Sequence, residues 1–415
     1  MGGMLVPVGI SIAFGHIRRQ TIYMIPRPVW AGRIAAAWRR RPVVWLAGVR
    51  RVGKTTLCRS LADTAYFDCE LPSVRRQLSD PESFLRELDG KHIVLDEVHR
   101  LDDPAELLKI AADHFPRIRV LATGSSTLGA SARFRDTLAG RKAEVWLAPM
   151  VHDDLPAFGK KEIPRFARDD NAPTSLSHRL HQGGLPPFFL APEPPERNFQ
   201  EWLDAYWAKD ILELFRLERR QAFQRLFELM LASSGGLFEA TRFARAREVS
   251  RQTIQNYLAV LEATFVAHVV RPWTTHKPTE LVSAPKVYGF DTGFVAYYRG
   301  WQTLRADDLG LLWEHYVLNE LHASRQARDV RYWRDKQGHE IDFVLASKRG
   351  SPMTIECKWK AATYEPDNLR IFRRHYPRGS NLVVTSDTTA PYDRTFGDLT
   401  VRFVGIAEGP LLDHA

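Results

Sequence analysis

The chain has 415 residues, a net charge of +9 and 44% hydrophobic residues, enough for two or three packed domains and basic enough to favour a polyanionic partner such as nucleic acid. Its three cysteines, Cys58, Cys69 and Cys357, show no metal spacing. They argue against a disulfide framework and a zinc site and for a reducing, cytoplasmic setting. The apolar stretch at 4–14 is too short to span a bilayer and lacks the flanks of a signal peptide, so no membrane association is expected. Residues 1–23 read as an N-terminal extension, disordered or mis-assigned, with Met24 the natural start of the first domain.

In chain order, short β-branched runs predict strands at 43–47, 65–68, 92–95, 118–122 and 144–147. They alternate with helical patterns at 54–63, 83–88 and 104–114, which implies an α/β fold with a parallel sheet covered on both faces. Residues 151–197 are rich in Pro and Gly and read as a linker with short helices; 198–268 are mostly helical. A second α/β pattern begins near Leu309, with a helix through Leu321 and strands at 330–334, 340–346, 353–359 and 381–385. The expected division is an extension at 1–23, a nucleotide-binding domain at 24–150, a linker and helical lid at 151–221, a three-helix region at 222–280 and a C-terminal α/β domain at 281–415.

Gly48-Val49-Arg50-Arg51-Val52-Gly53-Lys54-Thr55 matches G-x-x-x-x-G-K-[ST] between an expected strand and an expected helix. Backbone N–H groups of such a P-loop, together with the helix N-terminus that begins at Thr55 and Thr56, cradle the phosphates of ATP. Lys54 reaches the β- and γ-phosphates and Thr55 ligates Mg²⁺. The apolar run 92–95 then delivers Asp96, a second Mg²⁺ ligand, and Glu97, placed to polarise the attacking water. Ser125, after the fourth strand, is expected to sense the γ-phosphate, and Arg141 to touch nucleotide, in a neighbouring copy if the chain forms a homo-oligomer.

These runs, with Thr123-Gly124-Ser125-Ser126 and Leu138-Ala139-Gly140-Arg141, resemble the prokaryotic AAA+-type ATPase family whose members carry a C-terminal domain of unknown function. The resemblance extends to Gly183-Gly184-Leu185-Pro186 and Asp291-Thr292-Gly293 and covers residues 24–385. It implies ATP hydrolysis and supplies architecture more than purpose.

Residues 223–271 read as three helices followed by a strand, in the manner of a winged helix. The third helix, opened by Ser250 as N-cap, buries Ile254, Leu258 and Leu261 and exposes Arg251, Gln252, Gln255 and Asn256, residue types that bind phosphates and base edges. Near the C-terminus the strand pattern sets Asp342 opposite in direction to Ile341 and Phe343, and puts Glu356 and Lys358 together on one strand face. With Glu314 on the preceding helix, or Glu320 on the same helix in its place, the order resembles the PD-(D/E)XK nuclease fold. The resemblance implies that Asp342 and Glu356 are metal ligands and Lys358 the catalytic lysine, with Ile341 where a Pro often stands. Two functions arise as expectations: an ATPase that acts on DNA, or an ATP-dependent switch or scaffold for a protein partner with a silent C-terminal domain.

Overall fold

The computed structural model describes residues 25–124, 132–158, 174–191, 196–211, 220–245, 249–274, 284–346 and 351–407. The expectations for residues 1–24 and Ser125 lie outside the described residues. Strands β1 (Val43–Ala47), β2 (Thr64–Asp68), β3 (His92–Asp96), β4 (Arg119–Thr123) and β5 (Lys142–Trp146) form a parallel sheet in the order β2-β3-β4-β1-β5. β1 is buried along its whole length, which is why its sequence is continuously apolar rather than alternating. Helices Pro28–Trp38 and Pro104–His114 pack on the sheet through Trp30, Ile34, Leu107 and Leu108. Because β4 lies between β1 and β3, the C-terminal ends of these three strands come side by side. That edge is where an open parallel sheet presents its ligand site.

A second sheet takes nine strands: β6 (Gly236–Leu237), β7 (Ala267–Pro272), β8 (Lys286–Gly289), β9 (Arg331–Arg334), β10 (Glu340–Ala346), β11 (Pro352–Lys358), β12 (Asn381–Thr385), β13 (Tyr392–Phe396) and β14 (Leu399–Gly405). Helices Arg220–Ala232, Ala240–Arg245 and Arg251–Ala263 precede an antiparallel ribbon in which β8 lies between β7 and β6. Ser250 caps the third helix by accepting the Thr253 N–H at 3.0 Å. Helix Ala306–Arg325 leads into the antiparallel β9-β10-β11, and helix Asp367–His375 crosses over to β12, which runs parallel to β11. β7 also pairs in parallel with β9 at Arg271 and Pro272, so the ribbon and the C-terminal strands form one sheet. The boundary expected at 280 would separate β7 from β8, although β8 satisfies its backbone against β7 and β6.

One buried polar cluster locks the first domain on itself, and two further polar clusters tie the two sheets together. Arg27 donates from Nε and Nη2 to Asp154 at 3.0 and 2.5 Å, and from Nη1 to the Val52 carbonyl at 3.1 Å. Arg179 donates to the Met150 carbonyl at 2.8 Å and to Thr292 Oγ1 at 2.9 Å, while Asp291 accepts the Gly184 and Gly293 N–H groups at 2.6 and 3.0 Å. A Cβ on Gly183 would lie 2.1 Å from Asp291 Oδ1, and one on Gly184 2.3 Å from the Arg179 guanidinium. The Gly-Gly and Asp-Thr-Gly motifs thus form a single clasp. Finally, Gln326, in the left-handed region at φ 53°, accepts the Trp146 N–H at 2.7 Å and donates to the Trp146 carbonyl at 3.1 Å on β5.

Arg27 and Asp154 are both almost fully buried. Arg27→Met leaves a buried carboxylate without its cation and is expected to lower stability by about 3–5 kcal/mol, read as a reduced urea midpoint.

Candidate phosphate-binding cleft and acid cluster

The turn after β1 depends on glycine twice. Gly48 has φ +148° and Gly53 φ +101°, and a Cβ on Gly48 would stand 2.6 Å from the Leu147 carbonyl oxygen. Val49 and Val52 turn their side chains into the core, so of these two residues only the backbone is left to meet a ligand. Lys54 opens the following helix and donates from Nζ to the carbonyls of Gly48 and Val49 at 2.8 and 3.2 Å. Burial lowers its pKa against the opposing pull of Glu97, Asp210 and Asp96.

Asp96, at the end of β3, accepts hydrogen bonds from the Tyr66 hydroxyl at 2.7 Å and from Thr123 Oγ1. Glu97 comes next at φ 58°, its N–H given to Thr123 Oγ1 at 3.1 Å. Burial pushes the Glu97 carboxyl up, but the His99 hydrogen bond and the Lys54 and Arg50 charges outweigh it and hold it below its ordinary value. Arg50, Arg51, Lys54, Thr55, Thr56 and Glu97 line a cleft of about 310 Å³.

Pro186, Pro187 and Asp210 also line this cleft and were not among the expected site residues. Asp210 pairs with Arg50 at 2.9 Å, and Trp202 Nε1 donates to the Arg50 carbonyl at 3.0 Å. The Gly-Gly-Leu-Pro motif was the available signal for Pro186; nothing local marks Asp210. Arg141 does not reach the cleft of its own chain. It precedes β5, at the strand end opposite the cleft, where it pairs with Asp113 at 2.7 Å.

The second constellation is partly sheltered: Glu356 is buried, while Asp342, Glu314 and Lys358 are half-buried. Asp342 accepts the Cys357 N–H at 2.8 Å, and Lys358 Nζ lies 3.3 Å from Glu356 Oε2. Burial raises Asp342 to about 6, with the Glu314 charge adding to it. Burial raises Glu356 well above its usual range, and Asp342 raises it further. Glu314 belongs to the same group, while Glu320 faces away and accepts the His152 N–H at 2.7 Å. Among the described residues no group of three or more His, Cys, Asp or Glu is arranged to hold a metal ion. The donor set that remains is two mutually repelling carboxylates on adjacent strands, half-buried Asp342 and buried Glu356, which would suit one cation.

A glycine-hinged strand-to-helix turn beside an acidic strand end, in a parallel sheet of this order, defines a P-loop ATPase domain. Residues 40–155 match the family described as an AAA domain. Residues 173–305 and 309–403 match two families described as domains of unknown function, DUF8612 and DUF4143. The uncharacterized proteins Rv2008c of Mycobacterium tuberculosis and Mb2031c of Mycobacterium bovis are each 29% identical over 82% of this chain and 75% of their own length. Among solved structures, the Walker-type ATPase of Pyrococcus abyssi is similar over 68% of this chain and 97% of its own, at 18% identity and a TM-score of 0.44. Among the described residues no helix is long and apolar enough to cross a membrane.

Burial raises Glu320 from 4.5 to about 7. A carboxyl that binds its proton more tightly when folded contributes stability below its unfolded value, and that contribution is lost as pH rises through the folded value. Wild type is therefore expected to lose stability relative to Glu320→Gln between about pH 5 and about pH 8, as urea midpoints of the two proteins at each pH will show.

Proposed function

We propose that the chain is an ATP-hydrolysing protein that acts on DNA, reading it with the three-helix module and cutting it at the Asp342–Glu356–Lys358 cluster. Backbone N–H groups of 48–56, with Lys54, bind the phosphates; Thr55 and Asp96 hold Mg²⁺; Glu97 orients water for attack on the γ-phosphate. Mg²⁺ supplies charge neutralisation on the phosphate oxygens. Arg141, paired with Asp113 and away from its own cleft, would serve only the cleft of a neighbouring copy in a homo-oligomer, and Ser125 keeps its role as the expected γ-phosphate sensor.

One observation carries the DNA reading. The order helix Ala306–Arg325, β9-β10-β11, helix Asp367–His375, β12 is the αβββαβ order of PD-(D/E)XK nucleases, with Asp342 and Glu356 on its central strands. The helix-strand-helix-helix-strand-strand order before it is that of a winged helix. Arg251, Gln252, Gln255 and Asn256 of its third helix are all exposed. In the cluster Asp342 and Glu356 would hold a divalent cation that activates water, and Lys358 would support the developing charge on the phosphate.

Glu97→Gln is expected to lower kcat for ATP by about 10²–10⁴ while nucleotide still binds; Lys54→Ala is expected to weaken binding itself. Both are read by phosphate release and nucleotide titration. Asp342→Asn is expected to abolish Mg²⁺-dependent nicking of DNA with ATP turnover intact. An Asp342→Asn protein indistinguishable from wild type, together with ATP turnover indifferent to DNA, would instead favour a nucleotide-controlled switch for a protein partner. The Gly183–Asp291 clasp, which reaches from the cleft edge to the ribbon, is the feature that would serve that second reading.

A further inference from the structure

The acid cluster holds a cation that comes from outside the αβββαβ unit. Lys286, on β8 of the ribbon, donates from Nζ to Glu314 Oε1 at 2.9 Å and to Glu340 Oε1 at 2.7 Å, with its side chain 6% exposed. Tyr288, two residues along the same strand face, donates to the same Glu314 oxygen at 2.5 Å. Arg334 takes the other oxygen of Glu340 at 3.0 Å. Four carboxylates, from Glu314, Glu340, Asp342 and Glu356, therefore share one region with three fixed cations, Lys286, Arg334 and Lys358. The pairing is uneven. Lys286 forms ion pairs with Glu314 and Glu340, whereas Glu356 pairs with Lys358, and Asp342 feels the charges of Lys358 and Lys286 without an ion pair to either among the described residues.

We propose that Lys286 is the resident counter-ion of this cluster, a positioning residue that holds Glu314 off the metal and limits the site to one divalent cation on Asp342 and Glu356. The inference rests on the nuclease-like reading above and specifies its metal stoichiometry. With Lys286 in place and all four carboxylates ionised, as a bound cation would keep them, the cluster carries a single net negative charge. One divalent cation leaves a net charge of one positive unit; a second would leave three uncompensated positive charges in a half-buried region, where unpaired charge is disfavoured. Lys286 lies on the ribbon that pairs β7 with β8, so the module that would read DNA also sets the charge of the cluster that would cut it. Moving that ribbon would withdraw the lysine and release Glu314.

Mn²⁺ titration of the full chain followed by electron paramagnetic resonance tests this directly, with Lys54→Ala present and nucleotide absent so that the phosphate loop does not contribute. One bound Mn²⁺ is expected, lost with Asp342→Asn and kept with Lys286→Arg. Lys286→Met is expected to bind two, or one at least about tenfold tighter. A folded Lys286→Met protein with one Mn²⁺ of unaltered affinity would overturn the role of Lys286 and leave the nuclease-like reading standing. Should that variant not fold, Glu314→Gln decides: Mn²⁺ retained supports the proposal, and Mn²⁺ lost makes Glu314 a ligand and overturns it. Absence of Mn²⁺ binding in every form would overturn both readings, while binding only in Lys286→Met would keep Lys286 as counter-ion and remove the metal from the native site.

Discussion

A carboxylate sealed inside a protein must be solvated by the protein itself, and Asp291 is where this chain meets that demand. Burial raises its pKa, and the Arg179 charge with the N–H groups of Gly184 and Gly293 oppose the rise. The need for close N–H donors explains the glycines: a Cβ at 183 would strike the carboxylate and a Cβ at 184 the guanidinium. Because Arg179 also binds the Met150 carbonyl, the clasp fixes three stretches of chain at once. Its near end continues into Leu185 and Pro186, which closes one side of the phosphate cleft.

Helix Ala306–Arg325 carries the other connection. Along its 20 residues, about 30 Å of helix, it presents Glu314 to the acid cluster and Glu320 to the His152 N–H, and Gln326, just past its end, bonds β5. Trp146 is followed by Leu147, whose carbonyl is packed against Gly48 of the phosphate loop. A short run of contacts therefore joins the two acidic sites. The nine-stranded sheet makes the same point from the other side, since the ribbon and the αβββαβ strands share backbone hydrogen bonds through β7 and β9.

What was legible in the sequence was contiguous in it. The phosphate loop, Asp96 and Glu97 lie in unbroken motifs at the ends of apolar runs, and strands buried on both faces declare themselves by continuous hydrophobicity. The Ser250 cap is likewise local. Residues that converge from far apart were not legible: Asp210 meets Arg50 across 160 positions, and Lys286 meets Glu340 across 54. Glu314 and Glu320 could not be separated by type; their spacing puts them on different sides of the helix, and only packing reveals which side faces the cluster. β13 escaped notice because it is an edge strand, largely polar and exposed, with no apolar alternation to mark it.

The side chain of Gln326 has a consequence for how the ATP-binding sheet meets other chains. β5 is an edge strand, with β1 on one side only, and its outward N–H and C=O groups at Trp146 are taken by a single amide from a residue in the left-handed conformation. An incoming strand would find that rung of the ladder occupied and could not zip along β5 without first evicting the amide. β2, the opposite edge, shows no strand on its outer side among the described residues. Growth of this sheet by strand addition is thus directed to one side, away from the face that contacts the C-terminal half.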